Sequence, residues 1–259
     1  MKSNDELTFM GIIPARYAST RFPGKPLARL GGVTVIERVY RQVKQVLPRV
    51  VVATDDDRIA RAVAAFGGEA VMTGEHHRSG TDRCQEAYEK CGAGEDVVIN
   101  VQGDEPFIQR DQLLAIMACF DHSATQIATL VKPFEAGRPF SELQNPNTPK
   151  VVLDAEMNAR YFSRSVIPYV RGSEPEQWPA RANYYTHVGM YAYRAPVLAQ
   201  ITRLPQSPLE LAESLEQLRW LENGYTIRCG VTRVQTIGID TPQDLQRAEE
   251  FLAKNSPKL

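Results

Sequence analysis

Four apolar runs of strand length, 9–13, 50–53, 70–72 and 97–101, alternate with stretches in which apolar residues recur at helical spacing. Val35, Val39, Val43 and Val46 share one face of a helix after the first run, and Ile59, Ala62, Val63 and Phe66 do so after the second. A run that is apolar at every position suits a strand covered on both faces, which is the situation in a parallel sheet, and parallel strands need a helical crossover between them. The alternation therefore predicts a doubly wound α/β fold, with a mainly parallel sheet and helices on both faces. Ligands of such sheets bind beyond the carboxyl ends of the strands, so the loops after these runs are where chemistry is expected.

After about residue 120 the rhythm changes. Strands are predicted at 127–132, 150–154 and 184–193, separated by the proline-containing stretches 145–149 and 173–179. This reads as a mixed or antiparallel extension spanning about 120–200. A helix over 210–222, a strand over 225–231 and a helix over 242–253 complete the chain. Its 259 residues, 43% of them hydrophobic, bury a substantial core, and the whole is read as one α/β domain carrying that extension.

Charge narrows the function classes. With 30 basic and 31 acidic side chains the net charge is -1, which leaves no general polyanion-binding surface, so no nucleic-acid partner is expected. Residues 1–7 are polar and lack the apolar core of a signal peptide, and no stretch approaches the ~20 apolar residues that span a bilayer. A cytoplasmic protein without membrane insertion is the expectation. Cys84, Cys91, Cys119 and Cys229 stand too far apart for a CxxC motif and are expected to be reduced, buried and apolar in behaviour.

Against this balanced background, the loop after the first strand is conspicuous. Pro14-Ala15-Arg16-Tyr17-Ala18-Ser19-Thr20-Arg21-Phe22-Pro23-Gly24-Lys25-Pro26 carries three cations and no acid. A triphosphate calls for arginine forks, lysine point charges, a rigid backbone such as Pro23 and Pro26 supply, and close approach where Gly24 removes a side chain. A solvated basic turn has the same composition; position after the first strand favours the functional reading. The spacing fits neither a P-loop nor a dinucleotide fingerprint.

The pattern Ile13-Pro14-Ala15-Arg16-x-x-Ser19-x-Arg21-x-Pro23-Gly24-Lys25-Pro26 resembles the nucleotide-binding signature of the sugar-activating cytidylyltransferases, and of their 3-deoxy-manno-octulosonate (KDO) branch in particular. The resemblance continues through Ala53-Thr54-Asp55, Ser79-Gly80-Thr81-Asp82-Arg83, Gln102-Gly103-Asp104-Glu105-Pro106, Tyr161-Phe162-Ser163-Arg164, His187-Val188-Gly189-Met190-Tyr191, Leu215-Glu216-Gln217-Leu218-Arg219 and Ile239-Asp240-Thr241-Pro242. It implies transfer of CMP from CTP to KDO for lipopolysaccharide synthesis, by a homodimer built through the 120–200 region. Another acidic sugar (sialic acid or 8-amino-KDO) as acceptor, and a non-catalytic nucleotide-sugar-binding module, are the alternatives.

Residue by residue, the resemblance makes Arg16, Lys25 and Asp104 catalytic. It places Pro14, Ala15, Arg16, Ser19, Arg21, Lys25, Ser79, Gly80 and Gln102 at the nucleotide, and Gln102, Arg164, His187, Tyr191 and Glu216 at the sugar. It assigns Asp104 and Asp240 to Mg²⁺, which favours one or two carboxylates beside phosphate oxygens and water. Read alone, Asp240-Thr241-Pro242 is also a good helix start, with Asp or Thr as cap, and Asp104 suits an Asx turn. Glu216 has an ion-pair alternative with Arg219 on one helix, and Arg160 is a second cation that spacing does not rank against Arg164. A zinc site at His76 and His77 is rejected, since adjacent histidines on an extended loop diverge and no third ligand is evident.

Overall fold

The structure is a computed structural model that describes residues 7–92, 94–234 and 237–255; the N-terminal stretch 1–6 and the side chain of Asn255 lie outside the described residues. Two compact units emerge, one of residues 7–113 with 237–255 and one of residues 114–234, the division falling inside the helix Arg110–Ala118.

In the first unit, Phe9–Ala15 pairs in parallel with Arg49–Thr54 on one side and with Val97–Asn100 on the other, and Ala70–Met72 extends the sheet beyond Arg49–Thr54. Ile12, Ile13, Val51, Val52, Val98 and Ile99 have no exposed surface, as runs covered on both faces require. The helices Val35–Lys44 and Asp57–Ala65 carry the chain outward across the sheet, and Gly80–Lys90 carries it back past the first strand. Because parallel crossovers are right-handed, this reversal sets the returning helix on the opposite face. The loops after Phe9–Ala15 and Val97–Asn100 consequently part and leave a crevice at the strands' carboxyl ends.

Each of these helices starts at a side-chain cap: Thr34 accepts from the Glu37 amide, Asp56 from Arg58 and Ser79 from Asp82. The helical face expected to reach Val46 ends sooner, with Leu47 buried in the turn beyond the helix. The last helix, Pro242–Asn255, returns to this unit, where Ile239 and Ala248 are buried against Leu30 and Val35.

The second unit contains the stretch expected as the mixed extension, about 120–200, and runs beyond it to 234. Its sheet runs Ile227–Val231, Ile127–Pro133, Tyr185–Arg194, Lys150–Leu153, Ala159–Ser163, with only the first pair parallel. Phe120, Phe162, Tyr193 and Trp220 are fully buried in it. The helix expected over 210–222 is instead two helices, Pro208–Glu213 and Glu216–Glu222, parted by Ser214 in the left-handed conformation at φ 51° and ψ 48°. Leu211, Leu215 and Leu218 keep helical spacing across the break, so periodicity alone does not register a one-residue reversal.

Cys84, Cys119 and Cys229 are buried as expected, whereas Cys91 is only half-buried. No helix among the described residues is long and apolar enough to cross a membrane.

Candidate active site

The crevice at the strand ends holds a cavity of ≈ 280 Å³ within the first unit. Pro14, Ala15, Arg16 and Lys25 reach it from the first loop, Ser79 and Gly80 from the start of Gly80–Lys90, Gln102 and Asp104 from the loop after Val97–Asn100, and Asp240 from the turn before the last helix. Segments far apart in sequence thus converge where the fold leaves room for a ligand.

The first loop is closed on itself by the Gly24 amide donating to Tyr17 O at 2.9 Å. Gly24 sits at φ 72°, and a Cβ there would meet the Tyr17 ring at 3.0 Å. Its missing side chain therefore serves the left-handed turn and the packing of Tyr17. The Arg58 guanidinium lies 3.3 Å from the centroid of the same ring and holds it from outside. Beyond Gly24 the short turn Lys25–Leu27, with Pro26 buried, aims Lys25 inward. Ser19 and Arg21 do not line the cavity. Arg21 is exposed at the rim, its Nη2 3.0 Å from Asp240 Oδ2.

Lys25 Nζ contacts Asp104 Oδ2 and lies 3.1 Å from Asp240 Oδ1. Burial works to lower the Lys25 pKa, but Asp104 and then Asp240 outweigh it and hold the ammonium above its ordinary value. The helix-cap alternative for Asp240 does not hold. Thr241 Oγ1 accepts from the Asp244 amide at 3.2 Å, and Asp244 Oδ2 accepts in return from the Thr241 amide at 2.8 Å. This reciprocal cap occupies Thr241 and Asp244 and leaves the Asp240 carboxylate to the cations. A backbone bond of 2.9 Å from Ile239 N to Asp104 O brings the two acids together.

Several cavity residues were given no role at the site from the sequence, among them His77, Arg78, Arg83 and Gly103. Arg83 is 4% exposed and donates to Thr73 Oγ1 and to Asp55 Oδ2, each at 2.6 Å. Its presence in the Ser79-Gly80-Thr81-Asp82-Arg83 motif was the one available signal. At Gly103 a Cβ would fall 2.8 Å from Pro14 O, so only glycine lets the two strand-end loops approach. His76 and His77 do not diverge: residues 75–76 form a turn, and the rings lie 4.5 Å apart between centroids. His77 Nε2 meets Glu86 Oε2, which also accepts from the Gly74 amide at 2.9 Å. Burial would raise the Glu86 carboxyl, but Lys90, Gly74 and His77 together bring it down to about 2.

The residues expected to hold the sugar, apart from Gln102, belong to the second unit. His187 and Tyr191 flank a register shift in Tyr185–Arg194, their rings 5.3 Å apart, and His187 Nε2 is 2.9 Å from Thr129 Oγ1. Burial lowers the His187 pKa to about 4. Tyr191 packs edge-on against Trp220 at 5.1 Å, and its phenol is raised well above its ordinary pKa by burial and then by Tyr193 and Glu216. The Tyr191 hydroxyl, Gln217 Nε2 and Trp220 Nε1 are buried without a hydrogen-bond partner among the described residues. Gln217 and Trp220 were not picked out in sequence. Glu216 pairs with Arg219 at 2.7 Å, and Arg219 is buried rather than surface-exposed. Arg164 is engaged otherwise: its guanidinium donates to the carbonyls of Glu213, Pro146 and Ser214. Arg160 is paired with Asp154 at 2.9 Å.

Comparison with known proteins decides the family. The sequence pattern of the cytidylyltransferase family matches residues 10–227. The chain belongs to the cytidylyltransferase family. It is therefore a nucleotidyltransferase. A 3-deoxy-manno-octulosonate cytidylyltransferase of Phocaeicola vulgatus is 66% identical, over 95% of this chain and 98% of that one. The same enzyme of Bacteroides thetaiotaomicron is 64% identical, over 96% and 100%. Among solved structures, a CMP:2-keto-3-deoxy-manno-octonic acid synthetase complexed with CTP is similar at a TM-score of 0.87 and 42% identity, covering 95% of this chain and 99% of the other. A cytidylyltransferase of Leptospira borgpetersenii, at 14% identity and a TM-score of 0.63 over 96% and 88% of the chains, shares the fold. The doubly wound sheet and the strand-end cavity are thus the frame of a cytidylyltransferase.

Proposed function

We propose that the chain transfers CMP from CTP to 3-deoxy-D-manno-octulosonate, giving CMP-KDO and pyrophosphate. The observation that carries this reading is the meeting of Lys25 with Asp104 and Asp240 in the strand-end cavity, beside Arg16. Relatives at 66% and 64% identity that are named for this activity support the choice of substrates.

In the proposed reaction the anomeric hydroxyl of the sugar acid attacks the α-phosphorus of CTP. The new oxygen–phosphorus bond forms as the bond to the β-phosphate oxygen breaks, pyrophosphate leaves and the hydroxyl proton passes to water, so no protein nucleophile takes part. Arg16, Arg21 and Lys25 neutralise the triphosphate, and the amides at the start of Gly80–Lys90 add a positive helix end beside Ser79 and Gly80. Gln102 lies in the same cavity and suits either substrate. His187, Tyr191 and Glu216 are the proposed acceptor contacts.

Asp104 and Asp240 fit Mg²⁺: both are hard oxygen donors, they converge on one point at Lys25 Nζ, and two carboxylates are what this ion takes beside phosphate oxygens and water. Bound there, Mg²⁺ would polarise the phosphate oxygens and offset the charge of the leaving pyrophosphate. The proposal includes a cytoplasmic homodimer serving lipopolysaccharide synthesis. Tyr169, 72% exposed beside Trp178 on the second unit, supports an apolar contact there, and sedimentation would check the dimer.

The test is pyrophosphate release on mixing the protein with Mg²⁺, the octulosonate and each nucleoside triphosphate in turn. Release with CTP alone is expected. Faster release with sialic acid or 8-amino-KDO would overturn the acceptor assignment. CTP binding without turnover on any sugar acid would leave the protein a binding module.

A further inference from the structure

Two carboxylates and two cations are interleaved at the mouth of the cavity. Lys25 Nζ touches Asp104 and lies 3.1 Å from Asp240, while Arg21 holds the other Asp240 oxygen at 3.0 Å. The side chains of Lys25 and Asp104 are 17% and 26% exposed, so their attraction is only partly screened by water. Left alone, the two acids would repel each other; Lys25 between them and Arg21 on the outer Asp240 oxygen together bring the group to neutrality. An ammonium and a divalent cation seek the same carboxylate oxygens, so one excludes the other. A triphosphate is a richer partner for both cations than the carboxylates are, since it offers more charge and forked oxygens.

We propose that Lys25 is a resident counter-ion for Asp104 and Asp240, keeping the nucleotide-free protein poor at binding divalent cations until the triphosphate draws Lys25 and Arg21 onto its own oxygens. Metal then enters with the nucleotide or after it. This inference rests on the metal reading given above, but it adds a role of opposite sign for Lys25. Loss of a lysine that only binds phosphate leaves metal affinity of the nucleotide-free protein unchanged; loss of a counter-ion raises it.

The experiment titrates the full chain, without nucleotide, with Mn²⁺ as the probe and reads the free ion by electron paramagnetic resonance. Lys25→Met keeps the aliphatic stem and deletes the charge. It is expected to bind Mn²⁺ about tenfold more tightly than the unsubstituted protein, the scale set by removing one positive charge a few Å from the site. Lys25→Gln, a second neutral variant, is expected to do the same and Lys25→Arg is not. Adding Asp104→Asn to Lys25→Met is expected to abolish the gain. Equal Mn²⁺ affinity in Lys25→Met and the unsubstituted protein, with both weakened by Asp104→Asn, overturns the counter-ion role while the metal site stands. A gain that survives both Asp104→Asn and Asp240→Asn puts the ion elsewhere and overturns the metal reading as well.

Discussion

Arg83 Nη2 lies 2.6 Å from Asp55 Oδ2, in a pair whose side chains are only 5% and 15% exposed. Arg83 also lines the strand-end cavity, so one buried guanidinium joins the third crossover helix to the loop after Arg49–Thr54 and brings positive charge to that cavity.

Removing that guanidinium strands Asp55 without its counter-charge. Arg83→Met is expected to cost about 3–5 kcal/mol, the range for breaking a buried pair on one side, read from the urea midpoint. Arg83→Lys recovers little, because a single ammonium lacks the fork that spans Thr73 and Asp55.

Gly103 has no room for a methyl group, since the contact would be with the backbone oxygen of Pro14 at 2.8 Å. Gly103→Ala is expected to lose about 1–3 kcal/mol through forced backbone movement. Pro14 lines the cavity, so the same shift should raise KM for CTP more than it lowers kcat, which steady-state kinetics at saturating sugar acid would show.

His187 makes stability depend on pH. Its folded pKa, about 4, lies below its ordinary 6.5, so protons bind the unfolded chain first. The contribution is therefore complete above pH 6.5, declines as pH falls and levels off below about 4. Its span is at most about 3 kcal/mol. Denaturation midpoints of His187→Gln are expected to fall less steeply than those of the unsubstituted protein across this window; parallel slopes would contradict the assignment.

Ser214 and Arg164 together hold the break between the two short helices. Ser214→Gly relieves a left-handed backbone at φ 51° and is expected to stabilise the protein by about 0.5–1 kcal/mol. Arg164→Met leaves three carbonyls without their donor and is expected to destabilise it by about 1–3 kcal/mol, both effects being read by thermal unfolding.

Legibility followed the range of the interactions involved. Strands covered on both faces leave unbroken apolar runs, so Phe9–Ala15, Arg49–Thr54 and Val97–Asn100 were readable. The break at Ser214 was not readable, because one residue changes hand while the leucine spacing continues. Nor was the destination of Arg164, whose partners include Pro146, on a separate segment of the chain.

The sequence by itself determined the doubly wound frame and a basic loop after its first strand, since both are written in local periodicity and local charge. Tertiary structure decided what the acids do. Read alone, Asp240 suited a helix cap, and only the reciprocal cap between Thr241 and Asp244, with the bond from Ile239 to Asp104, turned its carboxylate toward Lys25. A carboxylate accepts from whichever donor the fold brings within reach, and that reach is set by segments distant in the chain.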